Sequence, residues 1–246
     1  MSRNFEVLSQ LQSELAGGGV TGAAAKPARA TSESTIDRDR LDNAVSDEML
    51  NLVQRVFLSA NGSAPRKVLF CGVDDSTGSS LVCARAAEVL SNCSSRPVCL
   101  VDANLQAKRL SRMFAVDATA PSSDSSVSIR ERCAQVGTNL WLAGAGLLTG
   151  SGGSFLALDE LKERLSQLRG EFEYLLIDVA GANVRGDAAV LGQAADAAIL
   201  VVEANGTRRV AALKAKETLD AANVRLLGTV LHNRTFPIPE QLYRKL

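Results

Sequence analysis

Six short apolar runs constrain this chain more than any other feature: "KVLFCGV", "PVCLVDA", "NLWLAG", "EYLLIDV", "AAILVVEA" and "VRLLGTVL". A strand with one wetted face alternates apolar and polar residues. A run that is apolar at nearly every position is buried on both faces, as the strands of a parallel sheet are. Helical segments separate the runs. The clearest carries Leu158, Leu161, Leu165 and Leu168 at spacings of three and four and is expected to close at Gly170; another is expected to open at Thr207. Strands alternating with helices predict an α/β fold, a doubly wound, mainly parallel sheet with helices on both faces. Ligands on such sheets bind at the carboxyl ends of the strands.

The 246 residues allow one such domain of roughly 180 to 200 residues plus an appendage. Phe5, Leu8, Leu11 and Leu15 mark residues 1–15 as a short amphipathic helix that needs a surface to dock on. Residues 16–45 are rich in Gly, Ala, Ser, Thr and charge and are expected to form a flexible linker. The domain then spans 46–246. Its first helix is expected to begin near Ser46, a suitable N-cap, with Met49, Leu50, Val53 and Phe57 on one face and Asn61-Gly62 at its end. The Ser-rich stretch after Val116 predicts an exposed, mobile loop, followed by a short helix around Ile129 to Gln135.

Charge and cysteine usage exclude several functions. Twenty-seven basic side chains balance 27 acidic ones, so no basic footprint for nucleic acid stands out. No apolar run approaches the ~18 residues of a membrane span, and "MSRNFEVLSQ" lacks the regions of a signal peptide, so a cytosolic chain without membrane insertion is expected. Cys71, Cys83, Cys93, Cys99 and Cys133 never fall in a C-x-x-C spacing and are expected to be reduced thiols. With His232 as the single histidine, a zinc site or a His-based triad has little to build on.

The chemistry-bearing stretch is "KVLFCGVDDSTGSS", an apolar strand, a turn of Asp, Ser, Thr and Gly, and then the helical "LVCARAAEVL". This is the layout of a phosphate-binding P-loop, but Ser79 stands where G-x-x-x-x-G-K-[ST] has its lysine. Two more strand ends carry carboxylates, Asp102 in "CLVDANLQ" and Asp178 in "LLIDVAG". Together with "GDAAVLGQAADAAILVVEANGTRRVAALKAKETLDAANVRLLGTVLHNR", these segments resemble, over about residues 46–234, the cytoplasmic domain of bacterial tyrosine kinases. These BY-kinases act in capsule and exopolysaccharide assembly and are a branch of the MinD/ParA-like P-loop ATPases.

The resemblance implies a P-loop NTPase-like fold and a nucleotide site built from Gly78, Ser79 and Ser80, with Asn233 and Arg234 near the adenine. Mg²⁺ would be held by Ser80, Asp102 and Asp178, the two aspartates being the catalytic residues if the chain is active. The departures fall on the reacting groups. Ser79 replaces the lysine, Asn104 and Gln106 replace the second aspartate and the arginine of the D-x-D-x-R strand end, and Ala180 and Gly181 replace two prolines. Glu48, Asn51 and Gln54 stand where the family's oligomer-building E-x-x-R-x-x-R would lie. Tyr243 alone stands in for its C-terminal tyrosine cluster. Asp74 and Asp75 are expected to repel an anion from the loop.

The expectation is therefore a pseudoenzyme, a degenerate BY-kinase-like binding or regulatory module of exopolysaccharide or capsule biosynthesis and export. It would need no cofactor and would work with a polysaccharide co-polymerase or related membrane protein at the inner face of the plasma membrane, self-association being left open. The alternatives are an active tyrosine autokinase using ATP and Mg²⁺ and, less favoured, a MinD/ParA-like positioning ATPase.

Overall fold

The computed structural model describes residues 46–58, 64–116, 128–150, 153–184 and 186–233. The two N-terminal segments, Arg234 and Tyr243 lie outside these residues, as does most of the Ser-rich stretch after Val116. The strands are β1 (Lys67–Gly72), β2 (Val98–Asp102), β3 (Ala134–Gly137), β4 (Leu140–Ala143), β5 (Tyr174–Val179), β6 (Ala197–Glu203) and β7 (Leu226–His232). They form one sheet in the order β3-β4-β2-β5-β1-β6-β7. Each neighbouring pair is parallel except β3 with β4.

All six apolar runs become strands, and the four central ones are buried almost throughout because helices cover both faces. One face packs Leu69, Val101 and Ile177 against the helices Leu158–Glu171, Asp187–Ala194 and Arg209–Ala221. The other packs Phe70, Leu100 and Leu176 against the helix of residues 46–57 and the helix Ser79–Cys93. Leu161, Leu165 and Leu168 are fully buried, each contributing about 1.5–3 kcal/mol if wholly exposed on unfolding. Asp159 and Glu160 in the first turn and Arg169 in the last suit that helix's dipole.

Several local expectations need correction. No helix forms around Ile129 to Gln135: residues 129–132 are a turn, and Ala134–Gly137 is a short strand hairpinned to β4 through Thr138 and Asn139. Asn139 Nδ2 fixes that turn by donating to the Ser94 and Arg96 carbonyls at 2.9 and 2.6 Å. The Leu158 helix runs through Gly170 to Glu171, and the last long helix opens at Arg209 rather than Thr207. Thr207 instead braces the turn before it, its hydroxyl accepting from Glu203 N–H at 3.0 Å. In the first helix Val53 and Phe57 are buried as expected, with Met49, Leu52 and Val56 packing beside them. All five cysteines are free, and only Cys93 is exposed.

Candidate functional site

Three strand ends converge at the carboxyl edge of the sheet, because β5 lies between β1 and β2. The β1 end leads into the loop Val73–Gly78 and the helix Ser79–Cys93. Gly78 takes the left-handed conformation at φ 76°, which suits glycine. It also has no room for a side chain, since a Cβ there would lie 2.6 Å from His232 Cδ2. No side chain caps this helix, so its first turn keeps unpaired N–H groups and the positive end of the dipole. Ser79 and Ser80 sit in that turn, both buried.

The two loop carboxylates are held by separate partners. Asp74 Oδ1 accepts from Ser76 N–H at 3.0 Å and Ser76 Oγ at 2.7 Å, with Thr77 Oγ1 at 3.0 Å. These bonds, led by that from the Ser76 hydroxyl, hold the Asp74 carboxyl below its usual range. Asp75 reaches across to the β5 end, where its Oδ1 accepts Gly181 N–H at 2.9 Å. Two backbone bonds lock the same contact: Ala182 N–H donates to the Gly72 carbonyl at 2.9 Å and Asn183 N–H to the Val73 carbonyl at 3.2 Å. Gly181 is required here, because a Cβ would lie 2.4 Å from Asp74 Cα.

Asp102 and Asp178 stand side by side in the β2–β5 register. Their environments differ. Asp102 Oδ1 accepts Asn104 N–H at 3.3 Å, and its Oδ2 accepts from Ser111 N–H and Oγ at 3.2 and 3.3 Å. Burial raises its pKa against these bonds. Asp178 is fully buried, and neither carboxylate oxygen has a hydrogen-bond partner among the described residues. Burial pushes its pKa up to about 8; the Ser80 hydroxyl, near but outside hydrogen-bond geometry, opposes the shift, the Asp102 charge adds to it and the Arg109 guanidinium opposes it. Asn104 is structural, its Oδ1 accepting Gln106 and Ala107 N–H at 3.3 and 3.1 Å.

The structure thus brings together Gly78, Ser79, Ser80, Asp102 and Asp178. Asn233 stands apart from them in role, donating to Glu203 Oε1 at 3.2 Å. Sequence reasoning missed His232 on Gly78. Burial lowers its pKa, Glu203 opposes the shift, and Arg85 adds to it. It also missed the charge of Arg109 near Asp178.

Among the described residues no group of three or more His, Cys, Asp and Glu side chains forms a metal site. The unpartnered Asp178 carboxyl and the Ser80 hydroxyl nevertheless fit a Mg²⁺ ion that takes its remaining ligands from phosphate and water, as Mg²⁺ commonly does. Bound there, Mg²⁺ would neutralise phosphate charge. The chain's own contribution would be the amides of the helix start and a carboxyl that must lose its proton.

No protein-family model matches the chain, and no curated protein does. Solved structures match with probability 1.00. The kinase domain of the Escherichia coli tyrosine kinase ETK is 17% identical at a TM-score of 0.59, over 70% of this chain and 71% of that one. The VpsO kinase domain is 19% identical at 0.66, over 81% and 99%. The Aquifex aeolicus cell-division protein MinD is 14% identical at 0.54, over 72% of each. With its seven-stranded, mostly parallel sheet and a loop-to-helix turn at the end of β1, the chain has the P-loop NTPase-like fold shared by bacterial tyrosine-kinase domains and MinD/ParA-like ATPases.

Proposed function

We propose that this chain is a catalytically degenerate BY-kinase-like protein that serves as a binding or regulatory module in exopolysaccharide or capsule biosynthesis and export. The observation that carries the reading is the loop itself. A neutral serine, Ser79, opens the helix in place of a cation, and Asp75 occupies the Gly181 amide across the loop. Phosphoryl transfer depends on positioned charge, which this loop does not supply. A fold kept without that charge suits docking, with a polysaccharide co-polymerase or related membrane protein as the partner at the inner face of the plasma membrane.

The second reading is an active autokinase, favoured by Asp178, whose unpartnered carboxyl beside Ser80 suits Mg-ATP. Incubating the purified chain with Mg-ATP and mapping phosphate by mass spectrometry separates the two. The module reading expects no phosphotyrosine; stoichiometric phosphate on Tyr243 would establish the kinase. Co-purification with the cytoplasmic segments of a co-polymerase tests the partner.

A further inference from the structure

Away from the loop, a groove of about 420 Å³ opens between the helix of residues 46–57 and the edge strand β7. Leu52, Val56, Leu227 and Val230 line it, and Arg55 and Arg225 stand on it, both exposed and neither in a salt bridge with a described residue. Its chemistry calls for an apolar ridge flanked by acids. The chain outside the described residues offers two terminal segments. Residues 234–246 carry Arg234, Arg244 and Lys245 against a single acid, Glu240, and the arginine pair would repel them. Residues 1–15 carry Glu6 and Glu14 against Arg3, with Phe5, Leu8, Leu11 and Leu15 at helical spacing.

We propose that the segment of residues 3–15 docks in this groove of its own chain, its leucines between the helix and β7 and Glu14, which borders the apolar stripe, toward the Arg55 and Arg225 pair. An amphipathic helix laid in a groove uses such i, i+3, i+7 anchors. The tether is long enough. A flexible chain of the length of residues 16–45 has a root-mean-square span of about 30 Å, whereas the 46–57 helix that separates its end from Arg55 is only about 18 Å long. The short tether also keeps the segment at roughly millimolar effective concentration, which favours its own groove over a neighbour's. The inference is independent of whether the loop binds nucleotide.

The test is photo-crosslinking in the full chain, with benzoylphenylalanine at position 8 and the adducts mapped by mass spectrometry. Crosslinks are expected at residues 52–56 and 225–230, within one copy when heavy- and light-isotope chains are mixed. Arg55→Glu with Arg225→Glu should cut the yield at least fivefold. So should Gly228→Trp, because Gly228 lines the groove and a Cβ there meets nothing within 4 Å. Circular dichroism melts confirm that the variants fold. Crosslinks elsewhere, crosslinks mainly between heavy and light copies, or a yield unmoved by both groove variants would overturn the proposal.

Discussion

Placing a lysine at position 79 tests the loop most directly. Ser79 is the first residue of its helix, beside amides that already point their dipole at an incoming anion. Ser79→Lys adds a positive charge, and a charge-assisted hydrogen bond is worth about 1.5–3 kcal/mol, or about 10- to 150-fold in affinity at 1.4 kcal/mol per tenfold. Asp74 is best left in place, since its carboxylate holds the loop through Ser76 and Thr77. The assay is calorimetry with Mg-ATP at pH 7. The unmodified chain should bind with a Kd above about 100 μM, and Ser79→Lys should bring it to roughly 1–10 μM. Hydrolysis should stay absent, because Asn104 and Gln106 still stand where the kinases place charged groups. Low-micromolar binding by the unmodified chain would refute the reasoning. So would a folded Ser79→Lys variant with no gain, because the loop would then lack the shape as well as the charge.

Asp178 should also shape the pH dependence of stability. Its folded pKa is raised, so between about pH 4 and pH 8 the folded state holds a proton that the unfolded state has lost, and its contribution falls with rising pH by up to about 1.4 kcal/mol per unit. Urea melts of Asp178→Asn should therefore show a flatter profile than the parent across that window, Glu88, raised by burial to about 7, being common to both. Parallel profiles would contradict the burial account. Gly78→Ala should destabilise by about 1–2 kcal/mol from its positive φ alone, with a further loss from the clash with His232 that His232→Ala relieves in a double-mutant cycle. Asp75→Ala removes the acceptor for Gly181 N–H, and hydrogen exchange there should speed up while that of Ile177 is unchanged.

What the sequence revealed follows from how far each signal travels along the chain. Parallel strands buried on both faces announce themselves locally, and runs such as "YLLIDV" needed no partner to be recognised. β3 was illegible because "AQVG" is short and half-exposed; it is a strand only because the turn at Thr138 and Asn139 folds it onto β4. Gly170 looked like a helix end, but a Cβ there meets nothing within 4 Å, and Leu168 is held by the core two residues earlier. The P-loop layout and both aspartates were legible as motifs. Their chemistry was not, because it depends on where side chains turn. Asp75 finds an amide on another strand end, and the single histidine meets Gly78 only after β7 joins the sheet.

The insertion of β5 between β1 and β2 has a consequence for how the protein is made. Phe70 pairs with Asp178 on one side and Ile199 on the other, and Val98 waits for Tyr174. A nascent chain that has emerged only as far as the Leu158 helix therefore holds both flanking strands without the one that joins them. Such non-local pairing slows folding and leaves apolar edges open to other chains. During synthesis, the first two-thirds of the polypeptide is the part most in need of a chaperone.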